Sequence, residues 1–235
     1  MKKVITKDGS LTLKNDNYNE CYHSSEGAVT ETLYKHIYPA FEVLKGKKEI
    51  KILDICFGLG YNTFLSILHA PKNCKLKIYS PEIDKNLIKS LKNFNYPKEF
   101  KKISNIIETI SNSFYYKDDF VEIQIFIGDA REYIKTLSDI DIVFQDAFSP
   151  KVNKELWTIE YFRDIDKLNP TIITTYSVAT PVRFALYSLG YKVYTHPFDN
   201  IRKGSLFSKY KLDFPAAGFE EKLKRVKGFY YSDNS

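Results

Sequence analysis

A chain of 235 residues with 43% hydrophobic and 15% aromatic residues carries enough apolar material for one α/β domain with a full core, which excludes a disordered chain and leaves little room for a second domain. The formal charge of +6 favours encounter with a polyanion, although the lysines are spread over most predicted helices as on a solvated surface; clusters at Lys45–Lys51, Lys98–Lys102 and Lys222–Lys227 are the candidates for backbone contacts with nucleic acid. No apolar run reaches about 18 residues, and the start at Met1-Lys2-Lys3 turns polar again before a signal-peptide core could form, so the expected location is the cytoplasm.

In chain order, Lys2–Cys21 is a weakly patterned candidate for a small hairpin, and residues 1–45 read as an N-terminal extension of short strands and a helix packing on a catalytic body at 46–235. A β-rich run over Ile50–Cys56 ends in Phe57-Gly58-Leu59-Gly60, and a helical pattern follows from Tyr61 to His69. A second strand, Leu76–Ser80, leads through Pro81-Glu82-Ile83-Asp84 into a helix to about Leu91. The polar, aromatic-dotted stretch from Asn93 to Asp119 reads as helix and loop over one sheet edge. Val121–Ile127 is a third strand, closed by Gly128-Asp129-Ala130, and Ile140–Gln145 a fourth, closed by Asp146-Ala147-Phe148-Ser149-Pro150. A helix at about Glu155–Leu168, a strand at Thr171–Tyr176, a helix at about Pro181–Leu189 and a strand pair near Tyr191–His196 and Ser205–Tyr210 complete the series. This alternation predicts a doubly wound, mostly parallel sheet of about seven strands, whose ligands bind beyond the carboxyl ends of the strands where strand order reverses.

The polar clusters fall at those strand ends. Asp54-Ile55-Cys56-Phe57-Gly58-Leu59-Gly60 supplies a glycine-rich turn at a helix N-terminus, where a ligand can approach the backbone. A dinucleotide fingerprint starting at Gly58 would need glycine at position 63, which holds Thr63, so a bound pyrophosphate is disfavoured. Glu82, just past the second strand, is placed to accept hydrogen bonds from ribose hydroxyls, with Asp84 the competitor and better suited to cap the next helix. Asp129 is placed to accept from the exocyclic amine of adenine, or to cap its own helix. Asp146 could orient an amine nucleophile and receive its proton, with Phe148 and Pro150 shaping a flat-walled slot. Cys21, Cys56 and Cys74 are odd in number and widely spaced, without a CxxC or histidine pair, and read as reduced packing residues with no metal.

The pattern acidic-x-small-x-Gly-x-Gly resembles the first motif of class I, Rossmann-like methyltransferases, with Cys56 where a glycine is usual. Glu26-Gly-Ala-Val-Thr-Glu31, Asp54 to Gly60, Asp146-Ala-Phe-Ser-Pro-Lys151 through Trp157, and Thr174 through Arg183 together resemble the methyltransferase part of the MnmC-type tRNA 5-methylaminomethyl-2-thiouridine enzymes, over about residues 20 to 210. The resemblance implies methyl transfer from S-adenosyl-L-methionine to the amine of 5-aminomethyl-2-thiouridine at the wobble position of tRNA, with neither flavin nor metal. It places Glu31 at the methionine end of the cofactor, Phe57, Gly58, Gly60 and Asn62 around its backbone cradle with Asp54, Glu82 at the ribose, Asp129 and Ala130 at the adenine, and Asp146 at the target amine. Phe148, Pro150, Lys151 and Trp157 are the expected substrate contacts. Bifunctional members also carry a flavin-dependent oxidase domain, for which 235 residues leave no room, so a separate enzyme is a possible source of the aminomethyl intermediate. Competing readings are a polyamine aminopropyltransferase or other small-amine transferase on the same fold, and a non-catalytic tRNA-binding module.

Overall fold

A computed structural model describes residues 1–199 and 201–234. Its centre is an eight-stranded sheet in the order β10-β11-β9-β8-β4-β5-β7-β6. The inner strands β4 (Glu49–Ile55), β5 (Lys75–Glu82), β7 (Val121–Ile127), β8 (Ile142–Gln145) and β9 (Ile172–Thr175) run parallel, as the strand–helix alternation predicts. At one side β11 (Ser205–Ser208) and β10 (Lys192–Tyr194) add antiparallel pairs. At the other, β6 (Tyr115–Lys117) pairs antiparallel with β7. With this short strand the sheet has eight strands among the described residues, against the expected seven or so. Phe114 takes a left-handed φ of 62° and turns the chain from helix α5 (Ser104–Ser113) into a strand too short to display a two-residue period.

Alternation within the strands builds the core on both faces. Ile50, Ile52, Ile142, Phe144, Ile172 and Leu206 face one apolar cluster, while their neighbours Leu53, Ile55, Val143, Ile173 and Phe207 face the other. The first cluster is closed by α3 (Tyr61–Leu68), α4 (Lys85–Ser90) and α5, the second by α6 (Ala130–Ile134), α7 (Ile159–Lys167) and α8 (Thr180–Ser188). The single helix expected at about Glu155–Leu168 is broken. A 3₁₀ turn at Lys154–Leu156 ends at Trp157, and Thr158 restarts the helix as its N-cap, accepting from Tyr161 N at 3.3 Å, while Ile159 N donates to Tyr231 O.

The N-terminal strands β1 (Lys2–Ile5), β2 (Leu11–Asn15) and β3 (Glu20–Cys21) form a separate antiparallel sheet. It leads into α1 (Ala28–Thr32), a π-helical stretch at Leu33–Ile37 and α2 (Tyr38–Val43), which follow one another without a break. Strand β4 lies between β5 and β8, so the chain winds outward from β4 through β5 to β7 and then returns to β8 on the opposite side. The crevice beyond the carboxyl ends of β4 and β8 is therefore the switch point of the sheet, where such folds bind their ligands.

Candidate functional site

A cavity of ≈ 1090 Å³ opens at that switch point. Its floor starts from β4. Asp54 is fully buried, and its carboxylate accepts from Asn62 Nδ2 at 3.1 Å and Thr63 Oγ1 at 2.8 Å. Burial pushes this carboxyl up to about 7, in spite of those hydrogen bonds. After it, Cys56, Gly58 and Gly60 all adopt left-handed backbone, with φ of 64°, 54° and 73°. The turn thus holds a cysteine at its first left-handed position, whereas a Cβ on Gly60 would lie 2.5 Å from Phe64 Cε2 and one on Gly58 would press on Tyr22 Cδ1 at 3.0 Å.

At the end of β5, Glu82 is only 8% exposed, and its two carboxylate oxygens accept from Gly58 N at 2.8 Å and Asp84 N at 2.9 Å. Burial raises its carboxyl above the ordinary range, partly offset by those N–H groups. Asp84 caps α4, accepting from Asn86 N and Leu87 N. Asp129 caps α6 through Arg131 N at 2.7 Å and also lines the cavity, so capping and exposure to a ligand coexist in one side chain.

Asp146, beyond β8, accepts from Asn62 Nδ2 at 3.0 Å, so one amide spans both carboxylates of the floor. His36 Nε2 stands 3.6 Å from Asp146 Oδ1. Burial alone would raise the Asp146 carboxyl, but His36, His23 and Asn62 outweigh it and hold the group below the ordinary carboxylate range. Glu31 pairs with Lys35 one helical turn on and accepts from Ser24 N at 3.1 Å. Lys35 itself is only 3% exposed, yet it reaches the cavity wall.

The roof is built from two distant segments. Glu20 accepts from Ser149 N at 3.0 Å and from Ser149 Oγ at 2.5 Å, tying β3 to the loop after β8. Tyr18 and Tyr22 pack their rings against Phe148 at 4.9 and 5.0 Å.

Of the residues singled out from the sequence, Glu31, Phe57, Gly58, Asn62, Glu82, Asp129, Ala130, Asp146, Phe148, Pro150 and Lys151 line one cavity. Asp54 and Gly60 lie behind its wall, the first holding Asn62 and the second packing on Phe57 and Phe64. Trp157 is corrected outright as a substrate contact: it is fully buried, and its Nε1 donates to Phe148 O at 2.7 Å, so it props the loop from behind. Lys35, His36, His23, Tyr18 and Tyr22 were missed, because no local motif marks them and only the fold carries them to the strand ends; Tyr176, inside the Thr174–Arg183 segment, lines the cavity as well. The three cysteines are free, as their spacing suggests. No group of three or more His, Cys, Asp or Glu among the described residues is arranged to hold a metal ion.

A family model described as S-adenosyl-L-methionine-dependent methyltransferase matches residues 97–206. The crystal structure of MnmC2 from Aquifex aeolicus superposes with a TM-score of 0.84 at 32% identity, covering 96% of this chain and 75% of that one. The chain belongs to the MnmC-type methyltransferase family. The family model that it matches is S-adenosyl-L-methionine-dependent. Among its relatives are an uncharacterized protein of Methanocaldococcus jannaschii, 32% identical over 81% of this chain and 54% of that one, and the tRNA 5-methylaminomethyl-2-thiouridine biosynthesis bifunctional protein MnmC of Leptospira interrogans, 25% identical over 93% of this chain and 37% of that one. The chain thus spans about half the length, or less, of these relatives. A probable spermidine synthase of Corynebacterium glutamicum superposes with a TM-score of 0.56 at 12% identity, covering 90% of this chain and 82% of that one, a likeness of fold alone.

Proposed function

We propose that this MnmC-type enzyme methylates the primary amine of 5-aminomethyl-2-thiouridine at the wobble position of tRNA. The observation that carries the reading is a largely buried carboxylate, Asp146, held by Asn62 and 3.6 Å from His36 at the switch point of a cavity lined by both polar acceptors and aromatic rings. At ≈ 1090 Å³ the cavity lies just above the roughly 300–1,000 Å³ typical of small-molecule sites, as expected where donor and acceptor are housed together.

The walls fit the donor. Each Glu82 oxygen accepts one backbone N–H and retains lone pairs for ribose hydroxyls. Asp129 and Ala130 offer an acceptor and a small apolar surface to adenine. Asn62 Oδ1 is buried without a hydrogen-bond partner among the described residues, an acceptor that the ammonium of a methionine moiety would satisfy, with Glu31 as its charge partner. Bound there, the cofactor supplies an electrophilic methyl group on a sulfonium.

The remaining chemistry belongs to the chain. A primary alkylamine is largely ammonium at neutral pH and has no lone pair until it loses a proton. Asp146, held by Asn62, attracts and orients that ammonium, and most of the acceleration is positional. The wobble base leaves the anticodon stack to reach the slot beside Phe148 and Pro150. Polyanion contact is supported by Lys151 and Arg202 on the cavity wall and by Lys222, whose Nζ donates to Thr180 Oγ1 next to the rim residue Ala179. The Lys45–Lys51 cluster lies at the opposite end of β4, around a separate depression.

The test is transfer of labelled methyl to unfractionated tRNA from a strain lacking the modification, followed by nucleoside mass analysis. One added methyl on 5-aminomethyl-2-thiouridine is expected, reduced about 100-fold or more in Asp146→Ala. Transfer to a free small amine and none to tRNA would replace the reading with a small-amine transferase.

A further inference from the structure

A second titratable group, His36, stands beside Asp146 on the cavity floor. His36 is 2% exposed and lines the cavity. Its Nδ1 lies 2.6 Å from the hydroxyl of Thr174, a fully buried residue of β9, and its ring meets Phe144 edge-on at 5.6 Å. Its other nitrogen, Nε2, faces Asp146 Oδ1 at 3.6 Å. The ring belongs to the π-helical stretch Leu33–Ile37, a rare helix variant that is frequent at functional sites.

The 3.6 Å gap carries information. At 3.6 Å, Nε2 and Asp146 Oδ1 lie beyond direct hydrogen-bonding distance, and in the tautomer whose Nδ1–H donates to Thr174 Oγ1 both of them are acceptors. A group with several N–H bonds can donate to both at once, and an alkylammonium is such a group.

We propose that His36 is the proton acceptor of the methylation, with Asp146 holding the ammonium and Thr174 fixing the imidazole. The proposal rests on the reading that the acceptor is an amine. One ammonium N–H donates to Asp146 Oδ1 and a second to His36 Nε2. The second N–H bond breaks, its proton forms a bond to Nε2, and the electron pair stays on nitrogen. That pair forms the N–C bond to the methyl carbon as the S–C bond breaks, its electrons remaining on sulfur. Asp146 stays ionised throughout and stabilises the imidazolium beside it. Charged and titratable groups beside the ring include His23 from the N-terminal segment, Lys35 next to it in the chain and Glu31, the partner of Lys35.

A structural role for His36 would slow the enzyme equally at every pH, whereas a proton-accepting role would not. In single-turnover methylation of the amine, His36→Gln is expected to be about 100-fold slower at neutral pH. The deficit should shrink as pH rises toward the amine's own pKa, roughly 10, because the nucleophile then arrives already neutral. Cofactor affinity should change less than twofold. Thr174→Val should show the same pH shape with a smaller amplitude, which keeps the test available if His36→Gln folds poorly. A pH-independent deficit, or none, overturns the proposal. A wild-type enzyme that methylates no amine overturns instead the reading it rests on.

Discussion

Asp54 and Asp146 share the Nδ2 of Asn62, yet their carboxyls are driven in opposite directions. Asp54 has only neutral donors around it, and burial wins, taking it from 3.8 to about 7. Asp146 has two imidazoles nearby, and they win over burial. The consequence for folding follows by linkage. Between about pH 4 and about pH 7 the native state retains a proton on Asp54 that the unfolded chain has released, so Asp54 makes stability fall as pH rises through that window. Asp54→Asn keeps an acceptor for Asn62 Nδ2 and removes the charge. Its urea midpoint relative to wild type should therefore rise from the acid to the alkaline side of the window, and a constant difference would mean that Asp54 is ionised throughout. Asp146 contributes the opposite slope below the window, where stability is lost as its carboxylate is protonated. Residues of this kind were legible unevenly. Asp54, Gly58, Glu82, Asp129 and Asp146 are each announced by a local pattern, a strand running into a turn. His36 is not, because its partner Thr174 is 138 positions away in sequence.

At the scale of elements, α1 is started by a residue outside it. Its N-cap is Gly27, which has no side chain to offer, and the missing acceptor comes from the turn between β1 and β2, where Asp8 Oδ2 accepts from Thr30 N at 2.9 Å. Burial would raise the Asp8 carboxyl, but hydrogen bonds from Ser10, Thr30 and Thr6 outweigh it and lower it to about 2. A Cβ on Gly27 would come within 2.2 Å of Asp8 Oδ2. Gly27→Ala must therefore expel the carboxylate, and a cost of about 1–3 kcal/mol is expected; Asp8→Ala should cost about 1 kcal/mol. Because both remove one interaction, the double variant should cost clearly less than their sum in urea unfolding. Full additivity would show that Asp8 does not cap the helix. Such a cap is invisible to sequence pattern, which looks for it next to the helix. The inner strands, by contrast, announce themselves through Val- and Ile-rich runs, and the sequence places Val121–Ile127 at its observed bounds. Short polar strands such as Tyr115–Lys117 carry no such signal and form because β7 offers a free edge.

For the molecule as a whole, the N-terminal sheet and the loop after β8 act together as one wall of the cavity. Residues 15–24 meet that loop through Glu20–Ser149 and through Tyr18 and Tyr22 on Phe148, while the Tyr22 ring also stands over the Gly58 turn. Its ties to the loop after β8 are one carboxylate and a few ring contacts, while Ser24 N on Glu31 and the His23 ring on Tyr61 hold its other side, so the contact with that loop opens at a small cost compared with the central sheet. Glu20→Ala removes both hydrogen bonds and leaves the aromatic packing in place. Amide exchange should then accelerate in residues 15–24 and 147–150 and stay unchanged in β4, β5 and β8. Since Tyr22 packs over the turn that would cradle the cofactor, S-adenosyl-L-methionine should dissociate faster, by about tenfold if the lost contacts cost about 1.4 kcal/mol. Faster exchange with unaltered cofactor release would assign the wall to the acceptor side alone, and unaltered exchange would show that the ring contacts suffice to keep it closed.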